Sequence, residues 1–186
     1  RETADLFLQL IIEVLNQNGR AAVVLPDGTL FGEGVKTKIK KMLTEECNLH
    51  TIVRLPNGVF NPYTGIKTNI LFFTKGTPTK DVWFYEVPLI ADKKLTKKNG
   101  ITEKHFADFE KAYTAKDRSK IKDERFSIIS RANITNKNDS LDLGLIVDDS
   151  ITKAEDIGEP IDIAKEALAE LDAITKDINA ILKELA

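Results

Sequence analysis

The sequence predicts an α/β fold: the distal part of a doubly wound sheet whose last strand is antiparallel, followed by a helical, coiled-coil-like tail. Three observations carry that expectation. Two short apolar runs, RAAVVLP at residues 20–26 and LHTIVRL at residues 49–55, each run into Leu-Pro-(Asp/Asn)-Gly and are separated by a stretch with helical spacing, the pattern of parallel strands joined by a crossover helix. A third run, KTNILFFTK at residues 67–75, follows after a connection too short and irregular to hold such a helix, so it should return antiparallel. Finally, residues 161–186 repeat apolar positions every seven residues, which is a coiled-coil seam.

The elements follow in order. Thr3 is a plausible N-cap, and Leu6, Phe7, Leu10, Ile11, Val14 and Leu15 recur at helical spacing to give one apolar face. Gly19 ends that helix. Residues 20–26 are too few for a helix and rich in valine, which predicts a strand covered on both faces. Pro26, Asp27 and Gly28 then close it in a turn. Residues 34–47 are helical, with Val35, Ile39, Met42 and Leu43 on one side and Lys36, Lys38, Lys40 and Lys41 mostly on the other. After the third run, DVWFYEV at residues 81–87 is a further strand whose aromatics suit a half-buried pleated surface. A lysine-rich loop over residues 91–100 precedes a short helix over residues 102–116, capped by Thr102, in which Phe106, Phe109 and Tyr113 share a face. Residues 126–129 form one more edge strand, and residues 133–150, rich in Asn, Asp and Ser, an irregular connection. Three regions result: residues 1–90 as the α/β body, 91–150 as a basic linker with a short helix, and 151–186 as an acidic terminal helix.

Composition bounds the function classes. With 186 residues, 42% hydrophobic and 30% charged, the chain can bury one ordinary core. The net charge of −2 hides a gradient: residues 1–75 carry 9 basic and 7 acidic side chains, residues 76–138 carry 14 and 9, and residues 139–186 carry 4 and 13. One cysteine, Cys47, excludes an internal disulfide and a cysteine zinc cluster and points to a reducing, cytoplasmic setting. His50 and His105 lack ligand spacing, so no metal is expected. No apolar run approaches the roughly 20 residues that cross a bilayer, so no membrane partner is expected. The first residue is Arg1 rather than methionine, and the chain is expected to be a fragment.

The residues alone do not reach a reaction. Gly28, Gly32 and Gly34 fit neither the dinucleotide fingerprint nor the phosphate loop, so a turn followed by a flexible helix start is the better reading. Asn61-Pro62-Tyr63 is an Asn-Pro turn in a hairpin loop. Asp27 stands alone at a strand end, and no Ser-His-Asp order has supporting context, so no catalytic residue is expected in this chain. Lys93, Lys94, Lys97 and Lys98 read equally as contacts to nucleic-acid phosphates or as a solvated loop.

Taken together, TADLFLQLIIEVLNQNGRAAVVLPDGTLF, LHTIVRLPNGVFNPYTGIKTNILFFTKG and DVWFYEV resemble the modification subunit of type I restriction systems, an adenine-specific DNA methyltransferase. The resemblance is dense over residues 3–87. It implies a Rossmann-like, S-adenosylmethionine-dependent sheet of seven strands whose last strand is antiparallel, with residues 20–26, 49–55 and 67–75 as its fifth, sixth and seventh. It implies methyl transfer to the exocyclic N-6 amino group of adenine. The family's glycine-rich cofactor loop and its Asn-Pro-Pro-aromatic tetrapeptide lie upstream, and no Pro-Pro occurs here. No S-adenosylmethionine is therefore expected on this fragment, which should be inactive alone.

The resemblance also implies a base-stacking aromatic between the sixth and seventh strands. Phe60 matches, with Tyr63 as second choice, and an aromatic face offers an extruded base a stacking partner. Packing of Phe60 into the core is the equal alternative. Lys67 joins Lys93, Lys94, Lys97 and Lys98 as a DNA-phosphate candidate. The implied partners are DNA, a DNA-specificity subunit and a restriction subunit. Leu171, Ile174, Ile178, Ile181 and Leu185 form the stripe expected to dock a partner helix, and the strand of residues 20–26, lacking its upstream neighbour, leaves a sheet edge through which the fragment could dimerise. A non-enzymatic assembly module and an unrelated α/β enzyme sharing only the strand–turn signature remain the other readings.

Overall fold

The computed structural model describes residues 3–90, 95–96 and 98–141. The chain divides into two compact units at residues 146 and 147, and every described residue belongs to the first. The docking stripe from Leu171 to Leu185 and the lysines Lys93, Lys94 and Lys97 lie outside the described residues.

Five strands form one sheet in the order β1-β3-β2-β4-β5, with β1 at Arg20–Pro26, β2 at Cys47–Arg54, β3 at Thr68–Lys75, β4 at Asp81–Glu86 and β5 at Phe126–Ser130. Strand β3 lies between β1 and β2 and is antiparallel to both, as the short connection into it requires. Strand β4 is parallel to β2, and β5 is antiparallel to β4 at the far edge. Because β1, β2 and β4 point the same way, Pro26, Arg54 and Glu86 end at one rim of the sheet, where β3 begins.

Alternation along the strands feeds two cores. Leu71 and Phe73 of β3 face a cluster built with Leu8 and Ile12 of helix α1 (Thr3–Val14), Ile39 and Leu43 of helix α3 (Val35–Glu46), and Ile134 of helix α5 (Arg131–Asn136). Ile70 and Phe72 face the other way, onto Val53, Leu55, Tyr85 and Val87, which Phe106 and Phe109 cover. Phe109 belongs to helix α4 (Ala107–Thr114), which continues a 3₁₀ turn at Glu103–Phe106. Thr102 caps that turn in a capping box with His105. Phe72, Tyr85 and Tyr113 ring Phe109 at centroid distances of 6.1, 5.3 and 5.3 Å.

Helix α5 occupies the start of the irregular connection expected over residues 133–150, and three further local expectations are corrected. Helix α1 is apolar on both sides, and the side that meets the sheet is Leu8, Ile12, Ala4, Ile11 and Leu15, while Leu6, Phe7, Leu10 and Val14 are exposed. Periodicity locates a stripe but cannot choose between two. Asp5 shares the buried side because Thr29 Oγ1 donates to its carboxylate at 3.1 Å. Strand β1 is covered on one face rather than two: Ala21, Val23 and Leu25 face the first core, whereas Val24 is 47% exposed. It is an edge strand among the described residues, out of reach of the aromatic cover over β2, β3 and β4. Lastly, Asp27 does not merely turn the chain but starts a five-residue helix, α2 (Asp27–Phe31).

Candidate functional site

The rim at which β1, β2 and β4 end carries two loops that matter. The first, residues 27–34, contains α2. Its last carbonyls need donors, as do those of any helix end, and Lys40 of α3 supplies them: Nζ donates to Leu30 O and Gly32 O, both at 2.9 Å. Lys40 is 2% exposed, which corrects its expected place on the solvent side of α3. Burial pushes its ammonium below the usual lysine range, with Asp139 and Glu33 opposing that shift. Lys36 Nζ donates to Gly28 O at 3.1 Å.

The same packing explains the glycines. A Cβ at Gly32 would lie 2.2 Å from Lys36 Cδ and 2.7 Å from Gly28 O, and Gly34 leads into α3 with φ of 67°. They serve a close approach and a left-handed turn. The Lys36 side chain lies against both Gly28 and Gly32.

The second loop, residues 55–67, joins β2 to β3. Its stems are fixed across the rim by Asp27, which is not alone as the sequence suggested. The Asp27 carboxylate accepts from Asn69 Nδ2 and lies 3.8 Å from Arg54 Nη2, and its amide donates to Lys67 O at 3.0 Å. Arg54 and Asn69 are direct neighbours across β2 and β3, and the Arg54 guanidinium lies 5.5 Å from the centroid of the Phe31 ring. Nothing local in the sequence signals this cluster, since Asp27 and Asn69 are 42 positions apart. Only the repeated Leu-Pro-(Asp/Asn)-Gly hinted that the two loops share a rim.

Within the second loop Gly58 has φ of 81°, and a Cβ there would meet Asn61 Nδ2 at 2.7 Å. Asn61 Nδ2 donates to Leu95 O at 3.3 Å, and Val59 packs on the second core. The tip is a tight turn in which the amides of Tyr63 and Thr64 donate to Phe60 O at 2.9 and 3.2 Å. Phe60 is 40% exposed and belongs to neither core, and Tyr63 is 85% exposed. Lys67 is half-buried where the loop rejoins β3, and Lys98 is exposed.

Open α/β sheets bind ligands at the rim where their parallel strands end, and the loop with the exposed Phe60 and Tyr63 stands at that rim. The family model described as N-6 DNA Methylase matches residues 1–155. The chain belongs to the N-6 DNA methylase family. Among curated members, the EcoEI type I methylase subunit of Escherichia coli is 92% identical over 88 residues, covering 47% of this chain and 18% of that protein. The EcoKI type I methylase subunit of Escherichia coli strain K12 is 35% identical over 218 residues, covering 96% of this chain and 41% of that one. Among solved structures, the EcoKI M protein matches with a TM-score of 0.62 and 32% identity over 100% of this chain and 44% of its own. A chain of a type I R-M system, solved to explain complex assembly and conformational transition, matches with a TM-score of 0.70 and 31% identity over 97% and 39%. This N-6 DNA methylase chain thus spans less than half the length of these relatives.

Proposed function

We propose that this chain is the distal part of the methyltransferase domain of a type I modification subunit, and that its role is to receive the adenine extruded from DNA. Phe60 stacks on that base, Tyr63 flanks it, and Lys67 and Lys98 direct charge toward the DNA phosphates. The observation that carries this reading is Phe60, exposed at the tip of a loop whose two stems are tied through Asp27 to the adjoining loop. An extruded base has lost its neighbours in the stack, and a fixed aromatic face replaces them without reading sequence. S-adenosylmethionine supplies the methyl group in the whole enzyme. The chain's own contribution is to hold and orient the base, with the cofactor held elsewhere in the longer protein.

The test uses a protein carrying this chain with the preceding half of the domain. Phe60→Ala should weaken capture of a fluorescent adenine analogue at the target position by about 1–3 kcal/mol, while stability shifts by well under the roughly 3–5 kcal/mol of a core Phe→Ala change. A stability loss of the latter size with capture unchanged gives Phe60 to the core instead.

Partners follow from the same reading: DNA, a specificity subunit and a restriction subunit. The edge of β1 is where the rest of the sheet continues in the whole protein, and in this chain alone a second copy covers it. What supports this is the exposed Val24 beside an edge that is unpaired among the described residues, since such an edge is a pairing template. Val24→Lys should turn a concentration-dependent dimer into a monomer by sedimentation, and an unmutated chain that stays monomeric overturns it.

A further inference from the structure

The opposite rim of the sheet, where β2 and β4 begin, holds an open cleft of about 760 Å³. It lies between the first residues of those strands, the 77–80 turn and the 115–119 segment, and its lining includes Asn48, His50, Lys80, Trp83, Lys116 and Arg118. It shares no lining residue with the loops that carry Phe60.

The floor of the cleft is built. Strand β2 carries a bulge between Leu49 and Thr51, so that His50 is the extra residue, and bulges re-aim side chains. The amide of Leu49 donates at 2.9 Å to Thr79 Oγ1, which itself donates to Cys47 O at 2.8 Å. Thr51, 0% exposed, then orders two cleft residues at once. Arg118 Nη1 donates to Thr51 Oγ1 at 3.1 Å, and the same hydroxyl is hydrogen-bonded to His50 Nδ1 at 3.0 Å. The other ring nitrogen, Nε2, is left as a second polar atom of the imidazole. Burial, aided by Arg118, lowers the His50 pKa below the usual histidine value. Arg118 Nη2 donates to Tyr113 O at 3.0 Å, and its guanidinium rests 4.4 Å from the Tyr113 ring centroid.

Lys80 and Lys116 also line the cleft, and their ammonium groups have no hydrogen-bond or ion-pair partner among the described residues. Two carboxylates also line the cleft. That of Asp117 is occupied by Ser119 and by Lys120, at 3.1 Å from the Ser119 amide and 3.3 Å from Lys120 Nζ. That of Asp81 has no such partner among the described residues. The set therefore suits a ligand that is anionic at one end and carries hydrogen-bond donors at the other.

We propose that this cleft is a second ligand site, which takes a nucleotide by its phosphate. Lys80, Lys116 and Arg118 face the phosphate oxygens, Asp81 accepts from a ribose hydroxyl or base amino group, and the half-buried Trp83, backed by Phe126 at 5.1 Å, lies against the base. The shared chemistry is a nucleoside phosphate, supplied either by a free mononucleotide or by one unit of a nucleic-acid strand.

Trp83 is the chain's single tryptophan, so its emission reports on the cleft in the chain as it exists. ADP and an oligothymidylate of about 12 nucleotides are titrated separately. A saturable change in Trp83 emission, weakened about tenfold, or about 1.4 kcal/mol, in the Lys80→Ala/Lys116→Ala double variant, supports the site. Response to ADP assigns a free nucleotide, and response to the oligonucleotide alone assigns a strand backbone. An emission that does not move with the oligonucleotide or with ADP at about 5 mM, where a millimolar ligand would be mostly bound, overturns the proposal. So does a titration that the double variant leaves unchanged. Both lysines lie outside the core clusters, so an unaltered melting temperature in the double variant accompanies the supporting result.

Discussion

The two rims of this sheet use charge in opposite ways. Where the strands end, the charged groups nearest the loops are turned inward: Lys40 and Lys36 hold backbone carbonyls, and Asp27 is held by Arg54 and Asn69. A lysine ammonium shared between internal carbonyls is held in place by them, and the second loop of this rim presents chiefly aromatic surface at Phe60 and Tyr63, with Lys67 where it rejoins β3. Where the strands begin, one buried hydroxyl, Thr51, fixes the floor, and Lys80 and Lys116 line the cleft without a partner among the described residues. Internal satisfaction of polar groups makes a rigid platform, and external availability makes a binding surface. One sheet holds both because its two rims are built from different connections.

The contrast breaks most visibly at Lys40. Lys40→Met keeps the stem but removes the donor from two carbonyls at the end of α2, and should cost about 3 kcal/mol by urea unfolding, since charged hydrogen bonds of this kind contribute about 1.5–3 kcal/mol each. A loss below about 1 kcal/mol would mean that other donors, solvent or the Leu141 amide that also donates to Leu30 O at 3.2 Å, satisfy that loop. Next comes Asn69→Ala, which leaves Asp27 with Arg54 alone at 3.8 Å. Stability should fall by about 1–2 kcal/mol, and the amides of Tyr63 and Thr64 should exchange faster while those of Val53 and Leu71 do not. Equal acceleration everywhere would show that Asn69 supports the sheet and not the loop.

The smallest effect lies at the other rim. His50 has its folded pKa lowered from 6.5, chiefly by burial. The unfolded chain therefore binds a proton first as pH falls, and stability present above pH 6.5 declines below it until the folded ring also titrates. Asp108, Asp117 and Asp123 have lowered pKa values, chiefly through hydrogen bonds from Lys111, Ser119 and Arg125 respectively. Their contribution is lost only below the ordinary aspartate value of 3.8, so the two windows separate. His50→Gln should flatten the slope just below pH 6.5 and leave the acid limb in place, as followed by melting temperature against pH.

The order of elements and the direction of β3 were legible in the chain, because apolar period and connection length are local quantities that act before any long-range contact forms. So was the loop bearing Phe60 between two strands, placed by the resemblance and by the repeated Leu-Pro-(Asp/Asn)-Gly. Tertiary structure alone decided which of two apolar sides of α1 meets the sheet, that β1 is open on one face, that Lys40 is buried, and that Asp27 gathers Arg54 and Asn69 from more than 25 positions away. Each of these depends on what a side chain finds opposite it once the strands are in register. A lysine looks solvated until helix carbonyls are brought within 3 Å of its nitrogen, and an aspartate looks alone until two strands deliver its donors.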